Sequence, residues 1–382
     1  MNDITPTDAQ ARVVREIEAW ADSPGGPQYR YLAGNAGTGK TSLAKLLARD
    51  RVVRFCAFTG KAANVLREKG CGDASTLHKL IYRPNERAVK ADNGEQCWTT
   101  EFVARDDNPL AGVDLVVLDE CSMVDSKMAT DLLSFGVKVL VLGDPFQLPP
   151  TSGEGYFTKR EPNWWLRDVH RQALESGILR LATDVREGRG ILDPASYGPD
   201  AAVVSLDEAS ASEDELLAWR DVVLVGTHRM RHHFNRRFRE VFKFASAYPQ
   251  KGDELVCLAN DHRRGLLNGT LWRVEADARE TGHLRLDIPV RSVDDPSQFM
   301  IADCWAHDFL QLEDELLKLP WQQRAQRARF TYGYALTVHK AQGSEYDNVL
   351  LVDESAVFRE NSARWAYTAI TRAAKKLVMV RT

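Results

Sequence analysis

The feature that most constrains this chain is the run Gly34–Thr41, in which four residues separate a glycine from Gly-Lys-Thr. That spacing is the phosphate-loop pattern, which requires a strand before it and a helix after it. Tyr29–Ala33 predicts the short strand, and Thr41–Arg49 carries leucines at helical spacing. The sequence therefore predicts an α/β fold in which a glycine-rich loop and a helix N-terminus bind a polyphosphate.

Each position of this loop has an expected role. The glycines let backbone N–H groups converge on the phosphates, Lys40 reaches the β- and γ-phosphates, and the Thr41 hydroxyl holds Mg²⁺. A glycine-rich turn with a chance lysine is the alternative interpretation. We predict nucleotide contacts for the whole loop and the residue after it: Gly34, Asn35, Ala36, Gly37, Thr38, Gly39, Lys40, Thr41 and Ser42.

The composition is that of a globular protein with more than one domain. At 382 residues the chain is long for a single domain. Its 44% hydrophobic and 27% charged residues argue against a disordered chain. The net charge of −4 gives no global sign of nucleic-acid binding, so such a role would depend on local patches.

The spacing of the cysteines and the lengths of the apolar runs indicate in which cellular compartment the protein is expected. The six cysteines include no Cys-x-x-Cys pair, which argues against a zinc site or a disulfide framework. No apolar run approaches the roughly 20 residues that span a membrane, and the N-terminus lacks the features of a secretion signal. We therefore expect a cytoplasmic protein with reduced thiols and no membrane partner.

Continuous apolar runs predict two α/β lobes with parallel sheets. Val52–Phe58, Val113–Leu118 and Val137–Gly143 have the composition of strands buried on both faces, and a second set starts at Asp221–Gly226. No internal repeat is evident. We predict the first lobe over residues 1–81 and 110–160, an insertion over 82–109, the second lobe over 161–247 and 330–382, and a β module over 248–329.

The two insertions differ in character. Charged and polar residues dominate 82–109, where an aromatic-bearing hairpin and a solvated loop are both compatible with the sequence. The 248–329 stretch contains Asn268-Gly269 and a period-two alternation over Leu284–Ile288, which predict a small antiparallel module.

Two acids and a glutamine follow predicted strands. Asp119 and Glu120 come at the end of a buried run, where the first would bind Mg²⁺ and the second would polarise the water that attacks the γ-phosphate. Gln147 follows the next strand, within Gly143–Pro150, where its amide could sense the γ-phosphate. A single acid at a strand end would be a weak signal, but a pair downstream of a phosphate loop is a strong one.

Two arginines are candidates for the cation that γ-phosphate transfer uses. Arg171 lies between the predicted lobes, and Arg372 ends the run Tyr367–Arg372. Either could be an ordinary surface arginine. An arginine supplied across a cleft would instead make closure of the two lobes depend on ATP.

This ordered set resembles the superfamily-1 DNA helicases, most closely the 5′→3′ branch typified by RecD and the phage Dda helicase. The matching stretches run from Thr5 to Arg372, and the most specific is Thr337–Glu345, which fits Thr-x-His-Lys-x-Gln-Gly-x-Glu in full. One departure is Cys121, where alanine is usual before the serine; because cysteine is small, we expect no loss of activity.

The resemblance implies a fold and an ATP site. It implies two RecA-like phosphate-loop lobes with parallel sheets, a small inserted β hairpin acting as a pin, and an SH3-like β module. It implies that Gln10 reads adenine, that Arg171 and Arg372 are arginine fingers, and that Lys40, Glu120 and Gln147 act in catalysis. Further nucleotide contacts are implied for Gln342, Gly343 and Glu345, and the cofactors implied are ATP and Mg²⁺.

Helicases of this kind grip the backbone of single-stranded DNA across the tops of both lobes. The implied contacts lie just past strand or helix ends, and each could be a structural cap instead: Thr59, Lys61, His78, Thr227, His228, Thr337 and His339. The basic run from Arg229 to Lys243 could add phosphate contacts or be a solvated face. Core packing is the default for the aromatic residues that could stack on bases: Trp98, Phe146, Trp272 and Tyr332.

The function implied is an ATP-dependent DNA helicase that moves 5′→3′ on single-stranded DNA. Its expected partners are single-stranded DNA and duplex junctions, with replication or recombination proteins as further candidates, and we expect a monomer in a bacterial or phage-infected cytoplasm. Three alternatives remain open. An NTPase switch would leave Thr337–Glu345 unexplained, a translocase subunit of a nuclease complex would need a partner, and an RNA helicase would grip a backbone in the same way.

Overall fold

The computed structural model describes residues 6–48, 50–90, 96–149, 155–166, 176–190, 197–259, 261, 264–266, 268–293, 295–319, 321–324 and 326–381. The chain forms two compact units. The first comprises Met1–Pro84, Phe102–Ala201 and Arg359–Thr371, and the second comprises Asn85–Glu101, Ala202–Phe358 and Arg372–Thr382. Within the described residues, no helix is both long enough and apolar enough to cross a membrane.

The described strands are, in chain order, β1 (Tyr29–Gly34), β2 (Val53–Ala57), β3 (Ser75–Thr76), β4 (Tyr82–Lys90), β5 (Gln96–Ala104), β6 (Leu115–Asp119), β7 (Lys138–Gly143), β8 (Trp164–Leu166), β9 (Ala201–Ser205), β10 (Val222–Val225), β11 (Glu254–Cys257), β12 (Leu271–Val274), β13 (Arg279–Gly282), β14 (Arg285–Ser292), β15 (Phe299–Trp305), β16 (Phe330–Tyr332), β17 (Ala335–Thr337), β18 (Tyr346–Asp353) and β19 (Ala373–Arg381).

The described α-helices are α1 (Asp8–Asp22), α2 (Lys40–Leu46), α3 (Gly60–Glu68), α4 (Leu77–Ile81), α5 (Ser126–Leu133), α6 (Gly177–Arg186), α7 (Leu206–Ala211), α8 (Glu213–Trp219), α9 (His228–Val241), α10 (His307–Leu310), α11 (Glu313–Lys318), α12 (Trp321–Arg324) and α13 (Ser362–Ile370).

The first unit is built on a six-stranded sheet in the order β3-β2-β6-β7-β1-β8. All of its pairings are parallel. The central strands are buried along their apolar runs, with Leu115–Leu118 and Val139–Leu142 fully enclosed, because helices cover both faces of a parallel sheet. Strand β8 pairs with β1 and extends this sheet past residue 160, where we placed the boundary between the lobes.

The second unit contains a five-stranded sheet in the order β17-β10-β18-β19-β9. Strand β10 pairs in parallel with β17 and β18, and β18 pairs in parallel with β19. Its core is apolar in the same way, with Val222–Val225 buried along its whole length. The prediction of α/β lobes with parallel sheets is confirmed.

The predicted β module is an antiparallel sheet in the order β13-β14-β12-β11-β16, with β15 also paired to β14. The alternation read in the sequence is real: along β14, Leu286, Ile288 and Val290 point into the core. Strand β16 joins this sheet through β11, so the sheet continues past the predicted end at residue 329.

The first insertion contains a two-stranded sheet formed by β4 and β5. Of the two structures that the sequence allowed, a hairpin and a solvated loop, the hairpin is therefore present. The side chain of Trp98, our candidate for base stacking in this insertion, lies outside the described part of the chain.

Helix α13 belongs to the first unit, although the strands on either side of it in sequence belong to the second. It packs against α6 and buries Trp365 completely. We predicted that residues 330–382 would form one continuous part of the second lobe. The difference matters for the site, because α13 brings two hydroxyl groups to the phosphate loop and its neighbour.

Candidate active site

The phosphate loop connects β1 to α2, as its spacing predicts. Gly37 and Gly39 both adopt φ +76°, a left-handed conformation that favours glycine. Gly34 is required by space instead, because a Cβ there would lie 2.5 Å from Thr38 Oγ1. The Thr38 hydroxyl donates to the carbonyl of Asn35 at 2.8 Å, which closes the turn.

Lys40 is the first residue of α2 and folds back over the loop. Its ammonium group donates to the carbonyls of Gly34 and Asn35, at 2.6 and 3.0 Å. These are neutral acceptors, and a phosphate oxygen is a stronger partner for an ammonium. The loop therefore holds a cation where the pattern places the β- and γ-phosphates.

The two predicted magnesium ligands meet beneath this loop. Thr41 Oγ1 donates to Asp119 Oδ2 at 2.8 Å, which joins the start of α2 to the end of β6. A hydroxyl and a carboxylate oxygen at this spacing suit Mg²⁺, which is commonly held by one or two protein oxygens together with substrate phosphates and water. The residues present fit the ion.

Glu120 follows directly and has an unusual backbone. Its φ is +54°, a left-handed conformation that is uncommon for a residue other than glycine, and its N–H donates to Asp119 Oδ1 at 2.8 Å. Strained backbone of this kind is concentrated at functional sites. The roles of Asp119 in holding Mg²⁺ and of Glu120 in activating water stay predictions.

Cys121, the departure from the expected alanine, is a packing residue. It is fully buried, and a Cβ on Gly143 would lie 2.7 Å from its sulfur. Burial raises the pKa of the Cys121 thiol well above its usual range, and the nearby Asp119 adds to this effect. The thiol therefore stays protonated and fills the space between β6 and β7.

Gln147 lies in the turn that follows β7, at the carboxyl edge shared with β1 and β6. Its N–H donates to the carbonyl of Asp144 at 3.2 Å, and its side chain is buried. Asp144 in turn accepts the N–H of Phe146 at 3.0 Å. The turn is thus ordered by Asp144, and it holds the glutamine at the sheet edge that carries the phosphate loop.

Gln10 contacts the phosphate loop directly. Its amide nitrogen donates to the carbonyl of Thr38 at 3.2 Å, while its amide oxygen accepts the N–H of Thr7 at 3.0 Å. The Thr7 hydroxyl accepts the N–H of Gln10 in return, which completes a capping box at the start of α1. Adenine recognition by Gln10 stays a prediction.

Two residues at the candidate site of the first unit have no signal of their own in the sequence. Tyr367 donates its hydroxyl to Asp144 Oδ2 at 2.5 Å and accepts the N–H of Ala36 at 3.1 Å. Thr368 Oγ1 accepts the N–H of Leu148 at 2.9 Å. Both lie in the run Tyr367–Arg372, and their closeness in sequence to Arg372 is the one feature that could have indicated them.

Within the second unit, Arg372 contacts Thr337–Glu345, the motif most specific to the family that the sequence resembles. Arg372 is buried, with 4% of its surface exposed, and its guanidinium donates to the carbonyl of Ser344 at 3.1 Å. Ser344 lies in Thr337–Glu345, where Gln342 is buried, Gly343 has φ +71° and Glu345 is exposed. Arg171, the other predicted finger, lies outside the described residues.

Two of the predicted DNA contacts are helix caps. Thr59 and Thr227 cap α3 and α9, and each accepts a backbone N–H three residues on at 3.2 Å. Lys61 and His78 are partly buried, and His228 is exposed at the first position of α9. Whether any of these residues touches DNA stays a prediction.

Thr337 and His339 occupy less accessible positions. Thr337 is buried, and its carbonyl accepts the N–H of Lys340 at 2.8 Å. His339 is partly buried, 5.6 Å from Phe358 between ring centroids, and burial lowers the pKa of its imidazole. The ring is therefore biased toward the neutral form, and a contact from it would not rest on charge.

Much of the basic run in α9 is neutralised within its own unit. Arg237 pairs with Glu213 and Asp214 at 2.7 and 2.9 Å, and Arg239 is buried against Asp253 at 3.0 Å. Two of the aromatic candidates, Trp272 and Tyr332, are core residues of the β module. Phe146 is partly buried, with Trp165 and Tyr367 edge-on to its ring.

The chain matches two known family profiles, one that begins near its N-terminus and one that ends near its C-terminus. A profile described as an AAA domain matches residues 6–208, and a profile described as a UvrD-like helicase C-terminal domain matches residues 332–380. The second match contains all of Thr337–Glu345 together with Arg372, and both matches agree with what the motifs predicted.

Curated relatives cover nearly the whole chain. The ATP-dependent RecD2 DNA helicase of Deinococcus radiodurans is 26% identical over 96% of this chain and 49% of its own length. The ATP-dependent DNA helicase Pif1 of Bdellovibrio bacteriovorus is 25% identical over 90% of this chain and 81% of its own. The conjugal transfer protein TraA of Agrobacterium fabrum is 25% identical over 94% and 32%. The chain spans about half the length, or less, of the first and last of these.

Solved structures show the same fold. A structure of Bacteroides Pif1 bound to single-stranded DNA covers 99% of this chain and 92% of its own, with 16% identity and a TM-score of 0.56. A Pif1 structure on forked double-stranded DNA gives 18% identity over 99% and 92%, with a TM-score of 0.57. At these identities the likeness concerns the fold, and it agrees with two RecA-like lobes.

Proposed function

The chain belongs to the AAA-domain family, whose profile matches residues 6–208, and we propose that it is an ATP-dependent DNA helicase that moves 5′→3′ along single-stranded DNA. The observation that carries the proposal is the hydrogen bond between Thr41 and Asp119 beneath a fully formed phosphate loop. The relatives named RecD2 and Pif1 DNA helicases support DNA as the substrate, and the direction is the one implied by the resemblance to the 5′→3′ branch.

In the proposed reaction, the residues of the first unit bind and orient ATP. Lys40 and the N–H groups of the loop neutralise the β- and γ-phosphates, and Thr41 and Asp119 hold Mg²⁺. When bound, that ion would supply charge stabilisation to the phosphoryl oxygens. Glu120 orients the attacking water and takes its proton as the γ-phosphate leaves ADP, while Gln147 senses the γ-phosphate.

Two arginines complete the proposed site. Arg372 acts as an arginine finger, and its bond to Ser344 ties it to Thr337–Glu345, whose Gln342, Gly343 and Glu345 are the proposed nucleotide contacts of the second lobe. Arg171 is proposed as the second finger. ATP binding then draws the two lobes together, and hydrolysis releases them, so that the grip on the strand alternates.

The remaining parts are assigned to DNA. The proposed contacts to the backbone of single-stranded DNA are Thr59, Lys61, His78, Thr227, His228, Thr337 and His339. The β4–β5 hairpin acts as the pin at the duplex junction, and the β module holds the strand against it. In this proposal the lobe boundaries are those predicted from sequence, except that the first lobe also includes β8 and α13 and the β module continues through β16. The protein is proposed to work as a cytoplasmic monomer. Replication or recombination proteins are the proposed protein partners.

The test measures ATP turnover and unwinding together. We expect single-stranded DNA to raise the rate of phosphate release, and duplexes with a 5′ single-stranded tail to be unwound while those with a 3′ tail are not. A change of less than twofold in turnover on adding DNA would favour an NTPase switch. Stimulation without unwinding would favour a translocase subunit, and preference for RNA tails would favour an RNA helicase.

A further inference from the structure

The hydroxyl of Tyr367 joins two parts of the ATP site that are far apart in sequence. The N–H of Ala36, in the phosphate loop, donates to Tyr367 Oη at 3.1 Å. The same oxygen donates its proton to Asp144 Oδ2, in the turn after β7, at 2.5 Å. All three residues belong to the first unit.

The geometry of this bridge is fixed. A tyrosine hydroxyl has one proton to donate, and here that proton goes to a carboxylate while a backbone N–H occupies the acceptor side. Tyr367 and Asp144 each expose only 2% of their surface, so water does not compete for these bonds. Burial, with Asp144 nearby, raises the pKa of Tyr367, which keeps the hydroxyl protonated and able to donate.

Each end of the bridge holds backbone on which catalysis depends. Ala36 lies between Gly34 and Gly37, within the loop that is expected to wrap the phosphates. Asp144 orders the turn that leads to Gln147, because it accepts the N–H of Phe146 and its carbonyl accepts the N–H of Gln147. Strands β1 and β7, which end at these two segments, are adjacent, with Ala33 opposite Gly143.

We propose that Tyr367 is a positioning residue for ATP hydrolysis, which sets the phosphate loop and the Gln147 turn at one fixed separation. This inference rests on the proposed ATPase function. The expected signature is selective, because binding of the nucleotide uses many loop groups, whereas hydrolysis needs Gln147 and the loop in register around the γ-phosphate. Small displacements of catalytic groups cost rate far more than affinity.

The fold allows the hydroxyl to be removed alone. Helix α13 is also held by Thr368, whose Oγ1 accepts the N–H of Leu148, and by the fully buried Trp365. Tyr367→Phe keeps the ring that lies edge-on to Phe146, with centroids 6.3 Å apart. Tyr82→Phe is the matched control, since Tyr82 is a buried tyrosine of the same unit that donates to a carboxylate, Asp131 Oδ2, at 2.6 Å.

The experiment compares the parent chain with the variants Tyr367→Phe, Tyr82→Phe and Asp144→Asn in steady-state ATP hydrolysis, with competent sites counted by titration with ADP and aluminium fluoride. We expect Tyr367→Phe to lower kcat per competent site by about tenfold or more while KM for ATP changes by less than about threefold. Tyr82→Phe should leave both quantities within about twofold. Asp144→Asn, which weakens the same bridge from its other end, should give the same loss confined to kcat.

Three results would overturn the inference. They are a Tyr367→Phe variant with kcat within about twofold of the parent, an equal loss in Tyr82→Phe, or a rise in KM with kcat unchanged. The outcomes separate from those of the proposed function itself. If the parent chain hydrolyses no ATP, the ATPase proposal fails first; if it hydrolyses ATP and Tyr367→Phe does so equally well, only the role of Tyr367 fails.

Discussion

The two parallel sheets of this protein place the same kinds of element at corresponding positions. The strand order is β3-β2-β6-β7-β1-β8 in the first sheet and β17-β10-β18-β19-β9 in the second. In each order the second strand leads to a threonine-capped helix. The caps are Thr59 on α3 and Thr227 on α9. The third strand of each sheet ends in an aspartate followed by a glutamate, which are Asp119-Glu120 in β6 and Asp353-Glu354 in β18.

The two acid pairs are used differently. In the first unit, Asp119 meets the phosphate loop through Thr41, and Glu120 follows in a strained left-handed conformation. In the second, Glu354 bonds inward: its carboxylate accepts the N–H groups of Gly226 and Thr227, at 2.7 and 3.0 Å, and the Thr227 hydroxyl at 2.9 Å. A Cβ at position 226 would lie only 2.9 Å from Glu354 Cβ, which is too close, so glycine at this position is what lets Glu354 approach.

The comparison shows that topology alone does not make an acid pair catalytic. A helix N-terminus attracts an anion because its backbone N–H groups lack partners. The second unit supplies that anion from its own chain, because Glu354 accepts the N–H groups of Gly226 and Thr227 immediately before α9. In the proposed function, the loop and the acid pair of the first unit instead bind ATP and Mg²⁺. Each prediction below tests this division between the units.

The largest effect is expected from Lys40→Ala. If the chemistry depends on the loop of the first unit, loss of this ammonium should reduce ATP turnover to background, because it removes the charge that neutralises the phosphates. Its partners here are the backbone carbonyls of Gly34 and Asn35, which are neutral acceptors rather than a buried carboxylate, so the folded structure should survive. Phosphate release and circular dichroism measure the two properties. Lys45→Ala, in the same helix, is the control, and normal turnover in Lys40→Ala would refute the site.

Glu120→Gln should come next, with kcat lowered by about 10²–10⁴-fold, the usual contribution of a general base. Glutamine keeps the shape of the side chain, so binding of ATP should change little. Single-turnover hydrolysis together with equilibrium nucleotide binding distinguishes the two steps. A variant that hydrolyses ATP within a few-fold of the parent rate would mean that another group activates the water.

Glu354→Gln is the matched change in the second unit, and it should affect stability instead. Its carboxylate accepts three donors, and an amide retains only one oxygen, so the loss should be about 1–3 kcal/mol. Hydrogen exchange of the backbone amides at Gly226 and Thr227 is the direct measurement, and both should exchange faster. DNA-free ATP turnover per folded molecule should stay near the parent value; a loss like that of Glu120→Gln would show that both acid pairs take part in the chemistry.

The parts of the site that could be predicted from sequence are those encoded over short distances. Gly34–Thr41 carries its loop conformation, its cation and its helix start within a few residues, so its spacing alone predicts them. The Thr41–Asp119 contact spans 78 positions, but both partners have recognisable local patterns. The antiparallel module was predicted in the same way, because alternation along a strand is a local property.

The parts that escaped prediction depend on partners far away in the chain. Ala36 and Tyr367 are 331 positions apart, and Gly226 and Glu354 are 128 apart. No local sequence pattern around Tyr367 or Glu354 indicates which distant residue each of them contacts. In the basic run of α9 the charges are evident from the sequence, but the acids that neutralise Arg237 and Arg239 lie outside the run, so the pairing is not. Local sequence patterns identify side chains that carry chemistry, and only the fold shows which of them already have partners within the protein.

The smallest effect concerns pH, and it should fall on the second unit. Burial lowers the pKa values of His339 and His307 below that of an unfolded histidine. The folded unit therefore binds fewer protons than the unfolded chain as the pH falls through about 6.5. The free energy of unfolding should therefore decline between pH 7 and 5.5, because the unfolded chain takes up protons on these histidines more readily than the folded unit does. Hydrogen exchange of β17 and β18 followed over this range should show the decline, and His339→Gln with His307→Gln should flatten it. An unchanged slope in the double variant would assign the pH dependence to carboxylates.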